Sequence, residues 1–226
     1  MEIMSKKTVL DELLEEGEVF KPNEEEDKLL VSLLPEINLI VDNSIKTFVR
    51  SLLLQAKIFW KIPSSFSGRH HPIDEHGPGG NVLHTKRVVR TAQILSESYS
   101  LSIEEKDLLF AACLIHDITK GVAAYDGEEE NFFYDPMHPY TVGPYVRKCQ
   151  ENDKKYASES SSSTLFLEEE TVQSILRLVR CHLGPWSPVP ETYPISFLDM
   201  IMHIADNIAS KIHMIADTTL SEKDNG

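Results

Sequence analysis

The chain has 226 residues, with 22 Lys and Arg against 36 Asp and Glu, a formal net charge of −14 and three cysteines. At about 150 residues per domain that length suits one compact domain with an added arm. The acidic balance disfavours duplex nucleic acid as a partner, since binding it takes many Lys and Arg to displace phosphate counterions. No apolar run approaches the roughly 18 residues of a membrane span. The acidic start MEIMSKKTVLDELLEEGE does not resemble a signal peptide, and Cys113, Cys149 and Cys181 show neither a metal nor a disulfide spacing. A reducing, cytoplasmic location is the expectation.

In chain order, residues 1–26 read as an acidic N-terminal arm, partly disordered. Three- and four-spaced Leu, Ile and Val over 27–41 and 43–58 predict helices, with Pro35 either starting the second half of the first stretch or kinking it. These helices complete the core or offer a surface for a homo-oligomer. Further helical patterns cover about 81–98, 104–117, 138–152, 168–182 and 196–216. Between them lie four irregular stretches: 64–81, 122–137, the Ser-rich 157–164 and the Pro-rich 184–194. Long loops inside a compact domain are usually functional or disordered. The Ser run reads as a flexible surface insertion, and the others as ordered loops around a site. Strand signals are almost absent. The expectation is an all-α fold, a single helical domain of about seven helices over 27–218 with long site-forming loops, followed by a tail at 219–226.

The histidines fall on faces where water should not be. His84 lies four, seven and eleven residues before Val88, Thr91 and Leu95 on one helical stripe. His182 follows Val179, Leu178 and Ile175 by three, four and seven. His116 and Asp117 close the all-apolar run LLFAACLI, and Asp206 follows Met202 by four and precedes Ala209 by three. Each alone could be a satisfied core polar residue. Burying an unpaired imidazole or carboxylate costs several kcal/mol, however, and four helices aiming such groups at one core imply a shared partner. A divalent cation, which accepts imidazole nitrogen and carboxylate oxygen, is the simplest one.

The ordered set His84, His116-Asp117 and Asp206, with GGNVLHTKRVVR, LIHDITK, HLGPW and HIADNIASK around it, resembles the H…HD…D signature of the HD-domain superfamily of metal-dependent phosphohydrolases. The resemblance spans roughly residues 64–213. It implies a helical HD-domain bundle, with His84, His116, Asp117 and Asp206 as ligands of a primary metal. His138 and His182 match the extra histidines that hold a second ion in a subset of the family, with Asp117 bridging the two. The resemblance thus implies one or two divalent ions, two fitting the histidine set better; Mn, Fe, Co, Ni, Zn and Mg all remain open. The implied activity is cleavage of a phosphate ester or anhydride by metal-activated water. A small phosphorylated substrate, a nucleotide, is the first reading. A 3′ to 5′ exonuclease acting on RNA or single-stranded DNA ends is the alternative, and a non-catalytic metal-binding regulatory protein the third.

Around this set, Lys120 lies four residues after His116, one helical turn on, where it could steady a phosphate oxygen or the attacking water; an exposed helix-end lysine is the plainer alternative. The loop RHHPIDEHGPGG leads into the His84 helix, and its glycines allow close backbone approach. His71 and His70 are candidates to touch substrate, Glu75 to accept a proton, and His76 has no matched role. Of the basic residues Lys86, Arg87, Arg90, Arg177 and Arg180, Arg180 lies nearest a candidate ligand and is the one expected at the phosphates. His203 could support a ligand or pack in the core. Trp186 and Tyr193 could stack a base or cover the core.

Overall fold

The structure, a computed structural model, describes residues 24–126, 129–157 and 167–211. The expected arm therefore lies almost wholly outside the described residues. So do the Ser-rich insertion past residue 157 and the tail at 219–226. Seven helices are found among the described residues: α1 (Glu24–Leu33), α2 (Asn43–Gln55), α3 (Gly80–Ser98), α4 (Ile103–Ile115), α5 (His138–Ala157), α6 (Glu169–Cys181) and α7 (Phe197–Lys211). The protein is mostly helical, as its periodicity predicts.

Local chemistry sets the helix boundaries. Pro35 opens a short 3-10 turn, Pro35–Leu39, instead of kinking a longer helix, because a first-turn proline gives up an N–H that has no helical partner anyway. The Asp42 carboxylate caps α2 by accepting from the N–H groups of Ser44 and Ile45. Ser102 and Glu105 form a reciprocal capping box at the start of α4. Asp107, on α4, accepts the N–H groups of Val41 and Asp42 at 2.8 and 2.7 Å. The start of α2 is thereby fixed against the central helix.

Helix α4 is the axis of the core. Leu109 through Ile115 are buried on every side, and α2, α3, α6 and α7 all pack against it. Leu30, Leu34, Ile37, Phe48, Val49 and Leu52 belong to the same apolar cluster, so the early helices contribute to this core. Each such side chain contributes about 1.5–3 kcal/mol through burial. Because α4 ends inside this packing, His116 and Asp117 emerge at the centre of the domain. Helices α3 and α7 lie side by side, and so bring His84 opposite Asp206.

The stretch 122–137, read from sequence as a loop, instead holds an antiparallel hairpin, β1 (Gly121–Asp126) and β2 (Glu129–Tyr134), paired from Gly121↔Tyr134 to Asp126↔Glu129. Val122, Phe133 and Tyr134 remain about half exposed. The hairpin thus lacks the one buried face that would have printed an apolar alternation in the sequence.

Candidate metal centre

Three helix ends and two helix faces converge at the floor of one cavity. His116 and His182 are the residues that cap the C-termini of α4 and α6, and His138 is the first residue of α5. Each finds a backbone carbonyl three residues earlier: His116 Nδ1 on Cys113 at 2.8 Å, His138 Nδ1 on Asp135 at 2.8 Å and His182 Nδ1 on Val179 at 2.6 Å. The last carbonyls of a helix lack a helical N–H partner, and the sequence fills two of those vacancies with imidazole. A carbonyl can only accept, so in all three rings Nδ1 carries the proton. In a neutral ring held this way Nε2 is left as the free electron pair.

Those three Nε2 atoms point at carboxylates and at one another. His116 Nε2 stands 3.4 Å from Asp117 Oδ2 and 3.6 Å from Asp206 Oδ1. His138 Nε2 is 3.0 Å from Asp117 Oδ1 and 3.2 Å from His182 Nε2, which is itself 3.8 Å from Asp117 Oδ1. These are meetings of acceptor with acceptor. Accordingly His116 Nε2 and Asp117 Oδ1 are buried without a hydrogen-bond partner. Such an arrangement costs several kcal/mol unless a cation sits among the lone pairs. The donors sort into two groups, His84, His116 and Asp206 on one side and Asp117, His138 and His182 on the other. Asp117 turns Oδ2 to the first and Oδ1 to the second. The donor set of nitrogen and carboxylate oxygen fits one or two divalent ions.

Electrostatics favour neutral rings at His116 and His182. Burial pushes His182 down to about 3 and lowers His116. Burial would also lower His84, but hydrogen bonds with Asp206, at 2.9 Å, and with Glu75 carry it up to about 9. Burial favours protonated carboxyls at Asp117 and Asp206, yet the surrounding imidazoles hold both well below the usual carboxylate range, helped at Asp117 by Lys120. Lys120 Nζ lies 2.6 Å from Asp117 Oδ2, which makes it a buried partner of the site and not an exposed helix-end lysine.

Above this floor opens a cavity of about 720 Å³, within the range that admits small ligands. Asp117, His138, His182 and Asp206 form its base, and His70, His71 and Lys120 its flank. Ser64 to Ser67 and Tyr134, from stretches read in the sequence as loops around a site without being singled out, complete the wall with Asn207, Ser210 and Lys211, which the sequence did not mark. Polar residues on an irregular segment and on the flank of α7 carry no periodic signal that would have marked them. Burial and the Asp117 charge push the Tyr134 phenol up to about 12, so it stays a hydrogen-bond donor.

Other sequence candidates lie elsewhere. Arg180 does not line the cavity; its guanidinium stands beside Gly143 on α5. Arg177 pairs with both oxygens of Asp199, at 3.2 and 2.5 Å, and Arg90 reaches Glu36. Glu75, expected to exchange a proton with substrate, is wholly buried beside His84 and outside the cavity lining, held by Arg87 and His71. Its carboxylate is enclosed by protein donors, which leaves a substrate no approach to it. His76 Nε2 donates to the His71 carbonyl and stitches the loop. His203 donates from Nδ1 to the His182 carbonyl at 2.8 Å, supporting the peptide of a candidate ligand. Gly184 permits this, at φ +55°, because a Cβ there would meet the His203 ring at 2.3 Å. Trp186 rests on that ring and is 66% exposed at the cavity, whereas Tyr193 lies outside it.

Comparison with known proteins gives one family: a family model described as HD domain matches residues 82–211, more than half of the chain. No curated protein and no solved structure matches. No described helix is long and apolar enough to cross a membrane.

Proposed function

The chain belongs to the HD domain family of metal-dependent phosphohydrolases, and from that premise we propose that it cleaves a phosphate ester or anhydride of a small substrate, a nucleotide. The observation that carries the reading is the convergence of three Nε2 atoms, on rings whose Nδ1 is tied to a backbone carbonyl, on the oxygens of Asp117 and Asp206 beneath the cavity. His84, His116, Asp117 and Asp206 would hold one ion and Asp117, His138 and His182 the other. Bound there, divalent cations supply positive charge that draws in phosphate oxygens and acidifies water.

The chain's own groups do the rest. Lys120 presents an ammonium between Asp117 and the cavity, where it pairs with phosphate as a point charge. His70 and His71 flank the phosphate path, and the hydroxyls of Ser64, Ser65 and Ser67 with the Asn207 amide offer neutral hydrogen bonds for sugar or base. Trp186 gives a flat, exposed ring at the rim on which a base can stack. The volume suits one small ligand, and nothing in the lining forms a long basic stripe for a polynucleotide.

The test is a panel in which the protein, loaded with Mn²⁺, Co²⁺, Mg²⁺ or Zn²⁺, is offered bis-p-nitrophenyl phosphate, nucleoside mono- and triphosphates, cyclic dinucleotides and a labelled RNA. Turnover of a small substrate, abolished in Asp117→Ala, is expected. Elemental analysis should find close to two ions, falling towards one in His138→Ala and His182→Ala. Absence of turnover with metal bound would overturn the enzymatic reading. Trimming of the RNA alone would replace it with the exonuclease.

A further inference from the structure

Three of the four inner imidazoles are oriented by backbone carbonyls three residues away, but His84 has no such recourse. It lies in the second turn of α3, where the carbonyls are taken by N–H groups one turn on. Its Nδ1, buried and without a hydrogen bond of its own, faces instead the Glu75 carboxylate, with Oε2 at 3.4 Å, while Nε2 meets Asp206 at 2.9 Å. Glu75 comes from a short turn, Ile73–Glu75, ahead of α3, and is fully buried. The same Oε2 lies 2.9 Å from His71 Nδ1, while Oε1 receives an N–H of Arg87. Arg87 sits one turn beyond His84 on α3 and is buried too. It is gripped by both oxygens of Asp74, at 3.0 and 2.6 Å. The turn is pressed onto α3 so closely that a Cβ on Gly80 would lie 2.1 Å from the Glu75 carbonyl oxygen.

We propose that Glu75, braced by Arg87, is the positioning residue that fixes the tautomers of His84 and His71, leaving Nε2 of the first free for the metal and Nε2 of the second free for the cavity. A carboxylate oxygen only accepts, so both rings must turn Nδ1–H towards it. For His84 this is the service that Cys113, Asp135 and Val179 carbonyls perform for the other three rings, delivered by a side chain because a mid-helix histidine has no free carbonyl. One carboxylate thus ties the ion held on the α3 side to an imidazole in the cavity wall. The His71, Glu75 and His84 atoms are close enough to hold a cation themselves, but Arg87 already occupies the carboxylate with a positive charge, which makes the trio a hydrogen-bonded hub. The inference rests on the metal-dependent reading above.

The experiment is zinc binding by chelator competition, joined to long-range ¹H–¹⁵N spectra of the histidine rings in the zinc-loaded full chain. Wild type should show Nδ1–H at both His71 and His84. Glu75→Gln has one acceptor oxygen where three donors compete. It is expected to lose about ten- to a hundredfold in affinity for one ion, with the ion on His138 and His182 unmoved. Arg87→Lys keeps the carboxylate but removes its planar brace, and should give a smaller loss in the same direction. Unchanged affinity for both ions in Glu75→Gln, an Nε2–H tautomer of His84 in wild type, or a third zinc ion would each overturn the proposal. Should Glu75→Gln fail to fold, the wild-type tautomers decide. A wild-type protein that binds no divalent ion would sink the phosphohydrolase reading and this inference with it, whereas normal loading with an indifferent Glu75→Gln sinks this one alone.

Discussion

Replacing Gly80 by alanine adds one methyl group at the tightest backbone approach to the site. The new Cβ would stand 2.1 Å from the Glu75 carbonyl oxygen, 2.6 Å from its carbon and 2.9 Å from its Cα, where ordinary contact begins at 3.4 Å. Since these are backbone atoms, no rotamer change relieves the clash, and the Ile73–Glu75 turn must retreat by about 1.3 Å. A retreat of that size opens the His84 Nδ1 to Glu75 Oε2 approach from 3.4 Å towards about 4.7 Å, too far for the carboxylate to hold the Nδ1 proton. Overpacking of this kind costs about 1–3 kcal/mol, and each weakened bond to the buried charge up to about 1.5–3 kcal/mol. With partial relaxation we expect about 2–4 kcal/mol, which for a chain of this size lowers Tm by about 5–15 °C. Gly79→Ala is the control. Gly79 has φ +77° and its nearest Cβ neighbour would be the Trp60 carbonyl oxygen at 3.9 Å, so it should lose about 1–2 kcal/mol to left-handed strain without moving Glu75. Thermal unfolding by circular dichroism, with chelator titrations of both variants, separates them. If Gly80→Ala bound both ions as tightly as Gly79→Ala does, the link from the turn through Glu75 to His84 would be refuted.

The pH response of the metal-free protein follows from the same groups. His84, raised to about 9 by Asp206 and Glu75 over the opposing effect of burial, stabilises the fold fully below about 6.5, and that contribution fades as pH rises through 9. Burial depresses His71 to about 4 and His182 to about 3, so their contribution is present above about 6.5 and lost as pH falls towards those values. Glu75, held near 2 by its imidazole and Arg87 partners against burial, adds a further loss below about 4.5. Tm in chelator should therefore peak near pH 6.5, and saturating metal, which needs His84 deprotonated, should flatten the alkaline limb. A Tm in chelator that climbs steadily to pH 9 would contradict this. For substrate recognition, Trp186→Ala should raise KM for a nucleotide by roughly 5–150-fold with little change in kcat, the worth of one base stack being about 1–3 kcal/mol. An unchanged KM would remove Trp186 from the binding surface.

The helices were legible because most bury one continuous face and the central α4 is apolar all round. His84, His182 and Asp206 could be placed from the same periodicity, since on a helix the spacing to Val88, Val179 or Met202 fixes the direction of the side chain. That logic stops where the chain leaves the helix. The partners of Glu75 lie four residues before it and nine and twelve after, along a path whose bends are set by the close contact at Gly80. No spacing rule converts such separations into contact, so Glu75 read as a proton acceptor and Arg87 as one basic residue among several. Arg180 failed for the opposite reason. Nearness in sequence to His182 suggested nearness in space, yet at the end of α6 two residues are over half a turn, enough to carry a side chain round to α5.

The net charge of −14 looks at first like an obstacle to a phosphate ligand, and the donor count around the site shows why it is not. Near Asp117 and Asp206 the described groups offer protons from His84 and Lys120, against three bare Nε2 atoms and four carboxylate oxygens. Those acceptors outnumber the protein's own donors, and the buried, partnerless atoms on His116 and Asp117 show that protein hydrogen bonding does not close the site. Two divalent ions would close it and change the sign of the floor. His84 would give up its charge, leaving two carboxylates against Lys120 and four units of metal charge, a balance of about plus three beneath the cavity. On the proposed function, a phosphate entering there would meet a cationic pocket inside an acidic protein, and the acidic exterior would favour a compact anion that fits inside over a polyanion that must lie along the surface.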